Sequence, residues 1–418
     1  MSSAATLVVR NISELVSCDP DRGEAPGVVR RGAVAAAREH IVYAGDEAGL
    51  NGIDIARDAV EIDAGGLAVI PGFVDAHTHM IWMGDRSAEY ALRARGASYE
   101  SIAQSGGGIA ATVAATAAAA FDDLVGAARP RLLRAISSGT TTIEVKSGYG
   151  IELDAEMRQL DAARALDADG TLPEVITTYL PLHGPVRGDR VAFVRDVLDR
   201  GLSAARGRAR FVDAFCEQGA FDVEECRRVF EAAPAYGLTP RVHAEQLSNS
   251  GGTRLAAEVG AASADHLEHA TDGDLRALAR AGVVGVILPG ASLVLGGPPP
   301  PGRRLLEAGA TVAVATDCNP GTCYSESMPL MVSLAVALAG LTPAQALVAA
   351  TAGGAAALRL DDRGVLAAGR RCDLVILDSA HWLDVGYHLG APVVRTVIRG
   401  GRLVVHPPVP PVGENRGR

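Results

Sequence analysis

One pattern constrains this chain more than any other. Between about residues 67 and 320, an apolar run followed by an amphipathic stretch recurs eight times. The apolar runs end near His79, Glu144, Leu180, Cys216, His243, His266, Leu288 and Asp317. Amphipathic stretches such as Asp122–Ser137, Leu153–Leu166, Asp189–Ala204, Val223–Ala235 and Asp272–Ala281 lie between them. Strands joined by helices run parallel, and eight such units imply an α/β chain folded as a (β/α)8 TIM barrel. The competing open doubly wound sheet calls for a glycine-rich dinucleotide turn after the first strand, and none is present. The alanine-rich string Ala110–Ala120 reads as a helix packed on the core.

The flanks have a different texture. Short alternating runs at Leu7–Val9, Gly32–Ala35 and Ile41–Ala44 recur as Asp373–Leu377, Val393–Ile398 and Gly401–Val405. Period-two alternation between glycine and aspartate clusters indicates strands. Neither flank is large enough for a core of its own. Residues 1–66 and 366–418 are therefore expected to combine into one small β domain beside a barrel of residues 67–365.

A formal charge of −10 over 418 residues argues against nucleic acid or an anionic membrane as partner. An anionic substrate would need a local cation. The six cysteines, Cys18, Cys216, Cys226, Cys318, Cys323 and Cys372, form no CxxC pair. The first residues lack the features of a secretory leader, and no apolar run reaches spanning length. A reduced cytoplasmic enzyme is the expectation.

In such barrels chemistry sits at the C-terminal strand ends. Of ten histidines, His77, His79, His183, His243 and His266 fall at or just past predicted strand ends. His40, His269, His381, His388 and His406 do not, and are expected to be structural or at the surface. The apolar run Leu67–Val74 reads as a strand leading into Asp75, His77 and His79, which share one face by period two. His77, His79, His243 and Asp317 offer three nitrogens and one carboxylate, a set suited to Zn²⁺, with Fe and Mn left open. Asp317 would act as general base towards water and return the proton to a leaving nitrogen. His266 could hold the attacked oxygen. The alternatives are an N-cap for Asp317, a core histidine for His266 and surface histidines for the His77–His79 pair. Glu245 is a further acidic group after the fifth strand.

The motifs resemble the amidohydrolase superfamily, and within it the imidazolonepropionases. The resemblance rests on Pro71–His79, Gly84–Glu89, Gly96-Ala97-Ser98-Tyr99, Gly106–Ile109, Ile143–Gly150, Phe215–Glu217, His243–Asn249, Ser263–Leu267, Leu288–Gly290 and Thr316–Gly321. It spans roughly Ala64 to Leu360 in the same order. It implies hydrolytic opening of a small anionic cyclic amide, 4-imidazolone-5-propanoate, and one Zn or Fe ion per chain. The ligands it implies are His77, His79, His243 and Asp317. The implied substrate contacts are Arg86, Tyr149, His183, Gln246, Asn319, Gly321 and Thr322, with Gln246 also among the catalytic groups beside Asp317 and His266. Arg86 would fork onto a carboxylate, unless it is a surface ion pair with Asp85 or Glu89. Tyr149 would reach the ligand from its loop, unless it only packs there. Gly321 and Thr322 would present amides near a helix start to an anion. Lys146 is read as structural, or as a group standing behind the ligands, rather than as a bridging ligand. A homodimer is implied.

Three rim segments depart from the family pattern: Leu180–Pro185, Ser292–Pro301 and Cys323–Glu326. They leave hydrolysis intact but open the alternative of another imidazolone- or hydantoin-like ring. Glu326 would disfavour an anionic tail if it faced the pocket. A catalytically inactive barrel serving as a binding protein is the third reading, and no ligand is missing to support it.

Overall fold

The computed structural model of the chain describes residues 4–19, 26–97, 101, 106–186 and 188–405. Ser98, Tyr99 and His406 lie outside the described residues, as does residue 187 of the 180–190 segment. We number the barrel strands β1 (Phe73–Asp75), β2 (Thr140–Lys146), β3 (Glu174–Leu182), β4 (Phe211–Cys216), β5 (Val242–Ala244), β6 (Ser263–His266), β7 (Val284–Ile287) and β8 (Val312–Val314). Each pairs in parallel with the next. Beyond β1 and β8, a bridge between Thr78 and Cys318 laces the barrel's seam. There the Asp317 amide donates to His77 O (3.0 Å) and the His79 amide to Cys318 O (3.0 Å).

Apolar side chains buried on both faces explain the strands. All four residues of β7 are buried, and each Val or Ile so removed from water contributes about 1.5–3 kcal/mol. Some helices start where short polar residues cap them. Asp222 and Thr271 each form a capping box, opening helices Val223–Ala232 and Asp272–Ala281. The alanine-rich helix spans Ile109–Ala118, and its buried residues are Thr112 and Thr116. The threonines turn inward, where Thr116 Oγ1 accepts from the Met83 amide at 3.0 Å.

The flanks meet in one mixed sheet of eight strands, in which Leu374–Leu377, Val394–Arg399 and Arg402–Val405 join strands from the first 71 residues. One expectation is corrected here. The apolar run Leu67–Val74 is two strands, not one. Val69–Pro71 pairs with Leu374–Ile376 in the flanking sheet, whereas Phe73–Asp75 opens the barrel. The joint is Gly72, where a Cβ would stand 2.3 Å from Thr141 Oγ1, so no larger residue fits. No helix among the described residues is long and apolar enough to cross a membrane.

Candidate active site and metal centre

His77 and His79 lie just past β1, on the segment that bridges to β8, rather than on the strand itself. The seam bonds fix their backbone against Asp317, and both imidazoles reach the same carboxylate oxygen. His77 Nε2 is 3.6 Å and His79 Nε2 3.7 Å from Asp317 Oδ1. His243 Nε2 lies 3.4 Å from His79 Nε2. One nitrogen from each of these three histidines falls within 4.8 Å of the others. Asp75 does not join them. Its carboxylate accepts from Thr316 N (3.0 Å) and Thr316 Oγ1 (2.6 Å), which anchors the end of β8 beside β1.

These residues fit a metal ion. His77 Nε2 is buried without a hydrogen-bond partner, and such an atom is costly unless something accepts its lone pair. Its other nitrogen, Nδ1, contacts Asp265 Oδ2 at 2.6 Å. His243 Nδ1 faces Asp213 Oδ2 at 3.1 Å. A carboxylate behind an imidazole fixes its tautomer and aims the opposite lone pair at the metal position. Burial holds His77 and His79 well below the ordinary histidine range, so they are neutral and ready to ligate. Burial pushes the Asp317 carboxyl up to about 7, and a cation at the shared focus would pull it back down.

Backbone strain gathers here too. Glu245, His266, Leu267 and Asp317 have positive φ values of 53°, 81°, 74° and 50°, and strained residues of this kind cluster at functional sites. Asp317 is not a helix cap, because the following helix starts at Met328 with Ser327 as its cap. Glu245 turns away from the focus. It accepts from the Gly251 and Thr253 amides, both 2.8 Å, below helix Gly252–Val259.

Above the focus lies a cavity of about 600 Å³ lined by His79, Arg86, Tyr149, His183, His243, Gln246, His266, Asp317, Asn319, Gly321 and Thr322. Every residue expected from the sequence as a ligand, catalytic group or substrate contact borders it except His77, which lies beneath. His183 contacts Gly148 O through Nδ1 (3.0 Å) and stacks on His79 with ring centroids 5.1 Å apart. Burial lowers His183 to about 4, so it too is neutral. His266 Nδ1 stands 3.8 Å from Glu268 Oε2.

A family model described as the amidohydrolase family matches residues 68–404. An imidazolonepropionase of Myxococcus xanthus is 45% identical over 96% of this chain and 97% of its own length. One of Deinococcus deserti is 48% identical over 82% of this chain and 85% of its own. The chain belongs to the imidazolonepropionase family of amidohydrolases. Among solved structures, an adenosine deaminase from Xanthomonas campestris with bound zinc superposes with a TM-score of 0.74 at 17% identity, covering 97% of this chain and 94% of its own. A 5-methylcytosine deaminase from Klebsiella pneumoniae gives 0.73 at 19%, covering 96% and 98%. At such identities these two likenesses speak for the fold.

Within this imidazolonepropionase-family site, one rim expectation changes and two alternatives are decided. The Gly321 and Thr322 amides both donate to Asn319 Oδ1 at 2.8 Å, and the segment is a turn rather than a helix start. Asn319 Nδ2 in turn donates to Asp317 O and Thr322 Oγ1, both 2.7 Å. The turn thus braces Asp317. Arg86 is both things the sequence allowed: it lines the cavity and pairs with Glu89 at 2.8 Å. Glu326 is held outside the cavity by Arg134 at 2.7 Å and does not oppose an anionic tail there. His40, His269, His381 and His388 are exposed.

The carboxylates behind His243 and His77, Asp213 and Asp265, are not anticipated from the sequence, and neither are Arg241 and Glu268. Each charged residue sits in or beside an otherwise apolar barrel strand, and that interruption is the signal that identifies it.

Proposed function

We propose that the chain hydrolyses 4-imidazolone-5-propanoate to N-formimidoyl-L-glutamate, the ring-opening step of histidine degradation. One observation carries this reading: three imidazoles and Asp317 share a focus at the floor of a cavity whose wall holds a cationic fork, Arg86. His77, His79, His243 and Asp317 would hold one Zn or Fe ion. Bound there, the ion would supply Lewis-acid activation of water and of the ring carbonyl.

The chain's own groups do the rest. Asp317 takes the proton from the attacking water and delivers it to the leaving ring nitrogen. Its positioning comes from Asn319 and from Thr322 Oγ1, which lies 3.3 Å from Asp317 Oδ2. His266, at the end of β6, steadies the oxygen that gains charge. Glu89 engages Nε and Nη2 of Arg86, leaving the Nη1 edge over Gly321 for the propionate. Tyr149 and His183 wall the ring side, and Gln246 offers neutral donor and acceptor groups to the ring.

The test is turnover by Zn- or Fe-loaded protein, followed by loss of imidazolone absorbance. Steady consumption is expected, and no turnover by metal-replete protein contradicts the reading. The homodimer implied by the resemblance is checked by light scattering of the same sample.

A further inference from the structure

Beneath the ligands lies a group of charges that the reaction above does not use. Lys146, Glu144, Asp213, Asp265 and Arg241 all have fully buried side chains. Lys146 Nζ stands 2.8 Å from Glu144 Oε1, 2.8 Å from Asp213 Oδ2 and 3.8 Å from Asp265 Oδ2. Asp213 leads to the segment that bears His243, and Asp265 and Glu144 both lead to the segment that bears His77 and His79. Asp213 backs His243 at 3.1 Å, and Asp265 backs His77 at 2.6 Å. Glu144 Oε2 accepts the Thr78 amide at 3.1 Å, and Glu144 O accepts the Thr78 hydroxyl at 2.6 Å. Thr78 is the residue between His77 and His79. Arg241 assists from one side, donating to Asp265 Oδ2 (3.0 Å) and to Ala76 O (2.6 Å).

We infer that Lys146 is a positioning residue: a single shared counter-charge that ties the His77–His79 segment to the His243 segment and sets the geometry and affinity of the metal position. The physics favours a lysine. A compact ammonium directs three donors from one point, so it can face three carboxylates that converge there. Three buried carboxylates would repel one another without it, and each would drift from the group it aims. Two formal cations face three formal carboxylates, so the group leaves one negative charge below the ligands, which complements a cation above. The inference rests on the metal reading given above and deepens it.

The test uses metal alone, without substrate. Zn²⁺ affinity is measured by competition with a chromophoric chelator, and coordination by the visible spectrum of the Co²⁺ form. For Lys146→Met, Zn²⁺ binding about 10–100-fold weaker than native is expected, together with an altered Co²⁺ spectrum. Lys146→Met leaves Arg241 alone against three carboxylates. The charge-balanced variant Lys146→Met with Glu144→Gln is therefore read alongside it, because the carboxamide oxygen that replaces the Glu144 carboxylate can still accept the Thr78 amide. Weaker binding and an altered spectrum in either folded variant support the inference. A lysine serving stability alone would lower the melting temperature of the metal-free protein and move neither readout. Native affinity and a native spectrum in both variants, or in the only one that folds, overturn the inference while leaving the metal reading standing. A native chain that binds neither ion overturns both.

Discussion

The floor of the site and its rim face the same cavity, yet they are held in different ways. On the floor, His77, His79, His243 and Asp317 expose at most a few per cent of their side chains. Every one of them is braced by a buried charge or a backbone bond across the barrel seam. The rim is made of loops. Arg86 is held by one partner residue, Asn319 by bonds within its own turn, and Leu247 and Leu295 are 58% and 38% exposed. The floor therefore sets what chemistry is possible, and the rim sets what is bound. Substitutions below should change metal and rate together, whereas substitutions above should change substrate affinity and leave the metal in place.

The largest expected effect tests the floor. Asp317→Asn should lower kcat/KM by about 10³-fold and lower metal content in the same preparation. A variant with full metal and only a several-fold loss would remove Asp317 from both roles. On the rim, Arg86→Ala should raise KM by about 10–100-fold, the worth of a hydrogen-bonded charge pair, with native metal content. An unchanged KM would remove Arg86 from the pocket. Gly321→Ala gives a smaller version of the same effect. Its Cβ would stand 2.5 Å from Arg86 Nη1. The tip of a flexible side chain can yield, so KM should rise roughly 3–10-fold.

The smallest effect concerns support for the rim and depends on pH. Asp274 ties Asn249, on the loop after β5, to helix Asp272–Ala281. Hydrogen bonds from Thr271, Arg254 and Asn249 outweigh its burial and hold its carboxyl down at about 2. A depressed carboxyl stabilises the fold above its unfolded value of about 3.9, and that contribution is lost as pH falls towards 2. Native protein should melt above Asp274→Asn at pH 5 to 7, and the gap should close between about pH 4 and 2. A constant gap would mean that the charge contributes nothing.

The same division explains how much was legible in the sequence. The barrel and the convergence of His77, His79, His243 and Asp317 could be read because most strands lie in one apolar run each and these four residues fall at or just past strand ends. The joint at Gly72 was hidden because the apolar run continues unbroken while the chain changes sheets. The shared role of Lys146 was hidden because its three carboxylates come from β2, β4 and β6, and only the closed barrel brings them together. On the rim, Gly321 and Thr322 suggested amides for an anion, but Asn319 satisfies those donors two and three residues away. Local turn chemistry of this kind competes with any ligand and is hard to foresee from residue types alone.

The most direct test is to locate the ion itself. Anomalous diffraction from crystals of the Zn- or Fe-loaded protein should show one peak per chain, within bonding distance of His77 Nε2, His79, His243 and Asp317. A peak elsewhere, or none from protein loaded with either metal, would contradict the account.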